Sequence, residues 1–128
     1  LGDVYKRQLN RFRVQPPQPC DNEFLLQYIA RNSLMPVDGG WTWKFDEDLL
    51  TSLTDAERKP EEFQALTTTL GVIFGADSEL FSRRTLEYMQ ELIPEPFPLK
   101  EIANAQHHLF LDQPQAFVES LLEMCQKF

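Results

Sequence analysis

Cysteine is scarce in this chain, and its scarcity limits the classes of protein to which the chain can belong. Only two of the 128 residues are cysteine, Cys20 and Cys125, and they lie far apart in the sequence. No Cys/His group has the spacing of a zinc site, so we expect neither a disulfide scaffold nor a bound metal. We expect a reducing, cytoplasmic setting; the alternative is a single disulfide between the two cysteines.

Basic residues and long apolar runs are scarce as well. Twelve Lys and Arg stand against twenty Asp and Glu, giving a formal net charge of −8. Nucleic-acid binders usually present a basic face, so we expect no nucleic-acid partner. No apolar run approaches the ~20 residues that cross a bilayer, so we expect no membrane partner. The length predicts a single domain of ordinary globular composition.

Two common catalytic motifs are also missing. The sequence has no G-x-S-x-G, the motif that exposes a nucleophilic serine on a sharp turn. It has no glycine-rich phosphate loop either, because Gly71 and Gly75 flank a short apolar run and stand alone. Neither cysteine has a neighbouring base in the sequence. The chain therefore shows no sequence signature of its own nucleophile.

The first half of the chain predicts one clear helix and an aromatic segment. Asp21 is a plausible N-cap for a helix that ends near Asn32, with an apolar face of Phe24, Leu25, Tyr28 and Ile29. Residues 41–46 alternate aromatic and polar side chains, which predicts a short strand or an extended loop. Residues 51–60 are polar and loop-like, and Pro60 fits the first turn of a short helix ending near Leu66.

The second half predicts the order strand, helix, strand, helix. The apolar run 70–74 is typical of a buried parallel strand, and a helix follows over 82–93. Residues 97–102 predict an edge strand, since Pro98 cannot donate to a ladder. A last helix over 113–127 has Asp112 as its predicted cap and a buried stripe of Phe117, Val118, Leu121, Leu122 and Cys125. This order predicts an α/β unit with parallel neighbouring strands.

Both histidines of the protein, His107 and His108, lie on the loop ahead of that last helix. An imidazole titrates near neutral pH and can take a proton from a nucleophile and return it to a leaving group. A histidine on a strand-to-helix loop is therefore a candidate general base. The alternative is a surface pair with no catalytic role.

Two carboxylates, Asp77 and Glu79, directly follow the predicted buried strand. The carboxyl ends of strands form the ligand crevice of open α/β sheets, and a carboxylate there can orient a histidine. The alternative is that both residues serve the start of the next helix. Trp41 and Trp43 could line an apolar pocket, although packing is the commoner use of such side chains.

Three segments together resemble the C-terminal part of α/β-hydrolase fold enzymes, over about residues 20–128. Residues 38–46 resemble the G-G-W-x-W-x-x-D signature of a subgroup of bacterial hydrolases, where it follows a helical cap. Residues 72–79 resemble the penultimate strand and the turn that often carries the triad acid. In the family the catalytic histidine commonly precedes an acid by five positions and a proline by seven. His107 has Asp112 and Pro114 at these spacings.

The resemblance implies site residues but departs from the family at one of them. It gives His107 the catalytic role and His108 a neighbouring one. The usual acid follows the strand-ending glycine by three positions, and here that position holds Ser78. We therefore take Asp77 as the acid after a one-residue shift, with Glu79 as the alternative.

The resemblance implies a serine-type hydrolase of an ester or similar bond, which needs no cofactor and takes a small-molecule substrate. It divides the chain into residues 1–8, then a cap remnant and connection over 9–66, then the C-terminal part of the α/β core over 67–128. Residues 1–8 resemble the translation of a sequencing adapter and are expected to be artefactual or disordered. We expect a fragment without its nucleophile, inactive alone. The alternative is a small non-enzymatic α/β interaction domain.

Overall fold

The computed structural model describes residues 2–46, 48 and 59–128. The chain divides into two compact units, Leu1–Glu57 and Arg58–Phe128. The loop predicted over residues 51–60 falls outside the described residues except at its last two positions. In the described part of the chain, no helix has the length and apolar character needed to cross a membrane.

The first unit contains two helices followed by a hairpin. Helices α1 (Gly2–Arg11) and α2 (Glu23–Asn32) precede the antiparallel strands β1 (Leu34–Val37) and β2 (Gly40–Trp43). Gly39 closes the hairpin with a φ of 80°, in the left-handed region that favours glycine. The aromatic segment thus begins as a strand, one of the two predicted possibilities.

Residues 2–8 are described as part of α1, and Tyr5 of this helix packs on Trp41 at 4.8 Å between ring centroids. The expectation that these residues are artefactual or disordered stays a prediction.

Helix α2 differs from its prediction in two details. Its N-cap is Asn22 instead of Asp21, because the Asn22 side chain accepts the backbone N–H of Leu25 at 3.0 Å. The predicted apolar face is only partly covered. Leu25 and Ile29 are half-buried, whereas Phe24 is 81% exposed and Tyr28 is 58% exposed.

The second unit is built on a parallel strand pair. Strands β3 (Val72–Gly75) and β4 (Leu99–Ile102) run in parallel, with Val72 opposite Leu99 and Gly75 opposite Ile102. Helix α4 (Arg83–Leu92) connects them, and the short helix α3 (Pro60–Gln64) precedes them. The predicted strand–helix–strand unit is confirmed, with Ser82 and Thr85 forming the capping box of α4.

The last helix begins one residue later than predicted, and its predicted cap is wrong. The chain first forms a short helix α5 (Leu109–Asp112), and α6 (Pro114–Cys125) follows with Gln113 at its N-cap and no side-chain cap bond. Asp112 does not cap α6, because its carboxylate accepts the backbone N–H of Gln106 instead.

The buried side of α6 is also different from the predicted stripe. Ser120 and Met124 are buried, while Val118, Leu121, Leu122 and Cys125 are exposed and Phe117 is half-buried. Gly71 explains why this side of α6 is buried, since a Cβ at that residue would strike the side chain of Met124. Because Gly71 has no side chain, Met124 packs against the backbone ahead of β3, and this contact sets which side of α6 faces the sheet.

Candidate functional site around His107

The site is built where β3 and β4 end together. The turn after β3 and the loop after β4 are joined by backbone hydrogen bonds: Ala76 N–H donates to Ile102 and Asp77 N–H donates to Ala105, both at 2.9 Å. A Cβ at Gly75 would strike the carbonyls of Ala105 and Gln106. Glycine at this position therefore lets the loop lie directly on the strand end.

The loop over residues 103–108 is fixed from its other side by the helices that follow. Asn104 takes a φ of 54°, and its carbonyl accepts the side-chain amide of Gln113 at 3.2 Å. The carboxylate of Asp112 accepts the N–H of Gln106 at 2.7 Å. Hydrogen bonds to an ionised acceptor are short and strong, so Asp112 holds the backbone immediately before His107.

His107 is exposed, and its Nδ1 lies 3.5 Å from the Oγ of Ser78. The same Oγ accepts the backbone N–H of Phe81 at 3.2 Å. His108 is half-buried and meets the His107 ring edge-on at 5.3 Å between centroids. The His108 ring also meets the Phe110 ring edge-on, at 6.0 Å between centroids. The two histidines are thus neighbours in space with different environments.

The predicted acids do not contact His107 in the part of the chain that the structure describes. The side chains of Asp77 and Glu79 are exposed, and no hydrogen bond or ion pair found there joins either to the imidazole. The structure brings Ser78 to Nδ1 instead. Ser78 occupies the position at which the family usually has its acid. The sequence shows Ser78 there as a departure from the family pattern, without indicating its contact with His107.

The predicted pocket-lining residues Trp41 and Trp43 lie in the first unit. Trp41 packs on Tyr5, and Trp43 packs on Phe12 at 5.7 Å and on Phe45 at 6.3 Å between ring centroids. The contacts described are packing within that unit, and a role in lining a pocket stays a prediction.

The mixed α/β fold of the chain is similar to that of a solved hydrolase. The fold is similar to the crystal structure of E-2-(acetamidomethylene)succinate hydrolase, an α/β-hydrolase, with a TM-score of 0.70 and 18% sequence identity. The match covers 98% of this chain and 45% of that chain. The chain therefore has the fold of part of an α/β-hydrolase and spans less than half the length of this neighbour.

No protein-family model matches the chain, and no curated protein matches it in sequence.

Proposed function

We propose that this chain is the histidine-bearing C-terminal part of a serine-type α/β-hydrolase that cleaves an ester or similar carbon-centred bond. The observation that carries the proposal is the placement of His107 at the end of β4, on a loop fixed by Asp112 and Gly75. The similarity in fold to a hydrolase of about twice the length supports it. The nucleophile and the oxyanion donors then belong to the remainder of that protein.

In this proposal His107 acts first as a base and then as an acid. Its Nδ1 faces Ser78, so Nε2 is the nitrogen that receives the proton of the attacking serine. The serine oxygen forms a bond to the substrate carbon, and the imidazolium then returns the proton to the leaving group as the bond between that carbon and the leaving group breaks. Water repeats the cycle and releases the acid product. The reaction uses serine, histidine and water and needs no cofactor.

The supporting roles follow the sequence prediction. Asp77, or Glu79 in its place, supplies negative charge near the imidazole, and His108 limits the ring's movement from its other side. The substrate is a small molecule, and the lining of its pocket by Trp41 and Trp43 stays a prediction from the sequence. No nucleic acid or membrane takes part.

The complete coding region that contains this sequence provides the test. We expect it to encode a G-x-S-x-G serine upstream, which a fluorophosphonate probe labels. In that protein His107→Ala should lower kcat for a simple ester by about 10⁶-fold, as loss of a triad histidine does. His108→Ala is the matched control and should cost less than about tenfold, because it contributes packing and no proton transfer.

The 128-residue chain alone should show no turnover that depends on His107. A coding region without an upstream serine motif, or full activity in the His107→Ala protein, would contradict the proposal.

A further inference from the structure

Ser78 occupies a fixed position that does not depend on the imidazole. Its own N–H donates to the carbonyl of Gly75 at 3.1 Å, and its Oγ accepts the N–H of Phe81 at 3.2 Å. The side chain is half-buried. Backbone groups on both sides of Ser78 therefore hold the hydroxyl in place, and His107 Nδ1 lies 3.5 Å from it.

A neutral imidazole carries its proton on one nitrogen and a lone pair on the other. A serine hydroxyl has two acceptor lone pairs, and the Phe81 N–H uses one of them. The second can accept an N–H from Nδ1 of His107, whereas in the other tautomer the hydroxyl would donate to a bare Nδ1. The carboxylates of Asp77 and Glu79 flank Ser78, and their negative potential favours an N–H pointing towards this turn over a lone pair.

From this geometry we propose that Ser78 is a positioning residue that holds neutral His107 in the tautomer with its proton on Nδ1. This inference rests on the proposed function, because that tautomer leaves the Nε2 lone pair free to act as a base. Ser78 takes over the orienting hydrogen bond that a carboxylate usually accepts. It supplies no negative charge of its own to the imidazolium.

A nucleophilic role for Ser78 fits the structure less well. A nucleophile needs amide donors directed at the oxyanion that forms beside it. The N–H groups of Asp77 and Ser78 already donate to carbonyls, and that of Phe81 donates to the hydroxyl itself. These three neighbouring donors are committed to holding the turn.

The tautomer can be measured directly on the 128-residue chain by ¹⁵N NMR of its two histidines at a pH where His107 is neutral. We expect the Nδ1–H form to predominate at His107. Ser78→Ala should lower the ratio of Nδ1–H to Nε2–H by about fivefold, the effect of removing one ordinary hydrogen bond. Ser78→Thr retains the hydroxyl and should retain the wild-type ratio.

Ser82→Ala is the matched control, because Ser82 caps α4 and makes no contact with His107 among its described hydrogen bonds. It should leave the ratio unchanged. Amide spectra of the variants report whether each is folded, and the wild-type tautomer tests the proposal even if Ser78→Ala does not fold.

Three results would overturn the proposal: a predominant Nε2–H form in the wild type, an unchanged ratio in folded Ser78→Ala, or a fluorophosphonate adduct on Ser78. The tautomer ratio is measured without a hydrolysis assay, so it tests the role of Ser78 separately from the proposed function. A shifted tautomer together with an inactive full-length protein would retain the role of Ser78 and refute only the proposed function.

Discussion

At the scale of single residues, a hydrogen bond explains the spacing of five positions between His107 and Asp112. The Asp112 carboxylate reaches back over the loop and accepts the N–H of Gln106, the residue before His107. An acid five positions after the histidine therefore acts on the backbone that carries the imidazole. It does not act on the imidazole's hydrogen bond at Nδ1, which belongs to Ser78.

Replacing Asp112 should loosen this loop. Asp112→Ala leaves the Gln106 N–H without its charged acceptor, and we expect a loss of about 2 kcal/mol in the free energy of unfolding, measured by urea denaturation. Asp112→Asn keeps an acceptor oxygen without the charge and should lose about half as much. Asp77→Asn changes an exposed carboxylate in the same unit and should stay within about 0.5 kcal/mol. Equal losses for Asp77→Asn and Asp112→Ala would refute this role.

The choice of His107 could be made from sequence spacing, but its hydrogen-bond partner could not. A carboxylate is the usual partner of a catalytic histidine, so the sequence favours Asp77 and Glu79 over the hydroxyl between them. The local pattern around Asp112 is typical of a helix cap. A local pattern cannot reveal that the amide of Gln106 comes within reach once the loop has folded.

At the scale of elements, the two glycines that flank β3 have different neighbours. A Cβ at Gly75 would strike the backbone carbonyls of Ala105 and Gln106, which hydrogen bonds hold in place. A Cβ at Gly71 would strike the flexible side chain of Met124. The first position controls the approach of the histidine loop, and the second controls the seating of α6.

A pair of alanine variants separates these roles. Gly75→Ala should cost about 3 kcal/mol, because backbone must shift to make room, whereas Gly71→Ala should cost about 1 kcal/mol. Thermal and urea unfolding measure both. The His107 NMR signals should move in Gly75→Ala and stay in place in Gly71→Ala. The opposite ranking would show that the strand end is not closely packed against the loop.

Periodicity was sufficient to find α2, α4 and the parallel pair, since each rests on local patterns of apolar residues, but it predicted neither α1 nor α5. It failed on which side of α6 is buried. That helix has apolar residues on more than one side, and the choice between them depends on the close approach at Gly71. Similarly, the cap of α2 moved by one residue because Asn22 and Asp21 have equivalent side-chain acceptors.

At the scale of the whole molecule, α6 carries an exposed apolar surface. Val118 is 51% exposed, Leu121 is 42% exposed and Leu122 is 60% exposed, and these residues share one side of the helix. The β3–β4 sheet has two strands in the described part of the chain. Exposed apolar patches and open strand edges favour association, so we expect the isolated chain to self-associate.

Leu122→Glu tests this surface. We expect it to reduce self-association, measured by sedimentation velocity at several concentrations, and to change the unfolding free energy by less than about 0.5 kcal/mol because the residue is exposed. Gln90→Glu on α4 adds the same charge at an exposed polar position of another helix and is the control. A wild-type chain that is monomeric at all concentrations would contradict the expectation.

The separation between Ser78 and His107 in the chain has a consequence for folding. The two residues are 29 positions apart, and they meet only when the crossover through α4 has brought β4 alongside β3. Closing such a loop costs conformational entropy before the contacts between the strands, which offset that cost, have formed. The contact should therefore form late in folding and be lost early, when the strand pair opens while α4 and α6 keep their helical signal. The His107 tautomer would then report the integrity of the strand pair more directly than circular dichroism does.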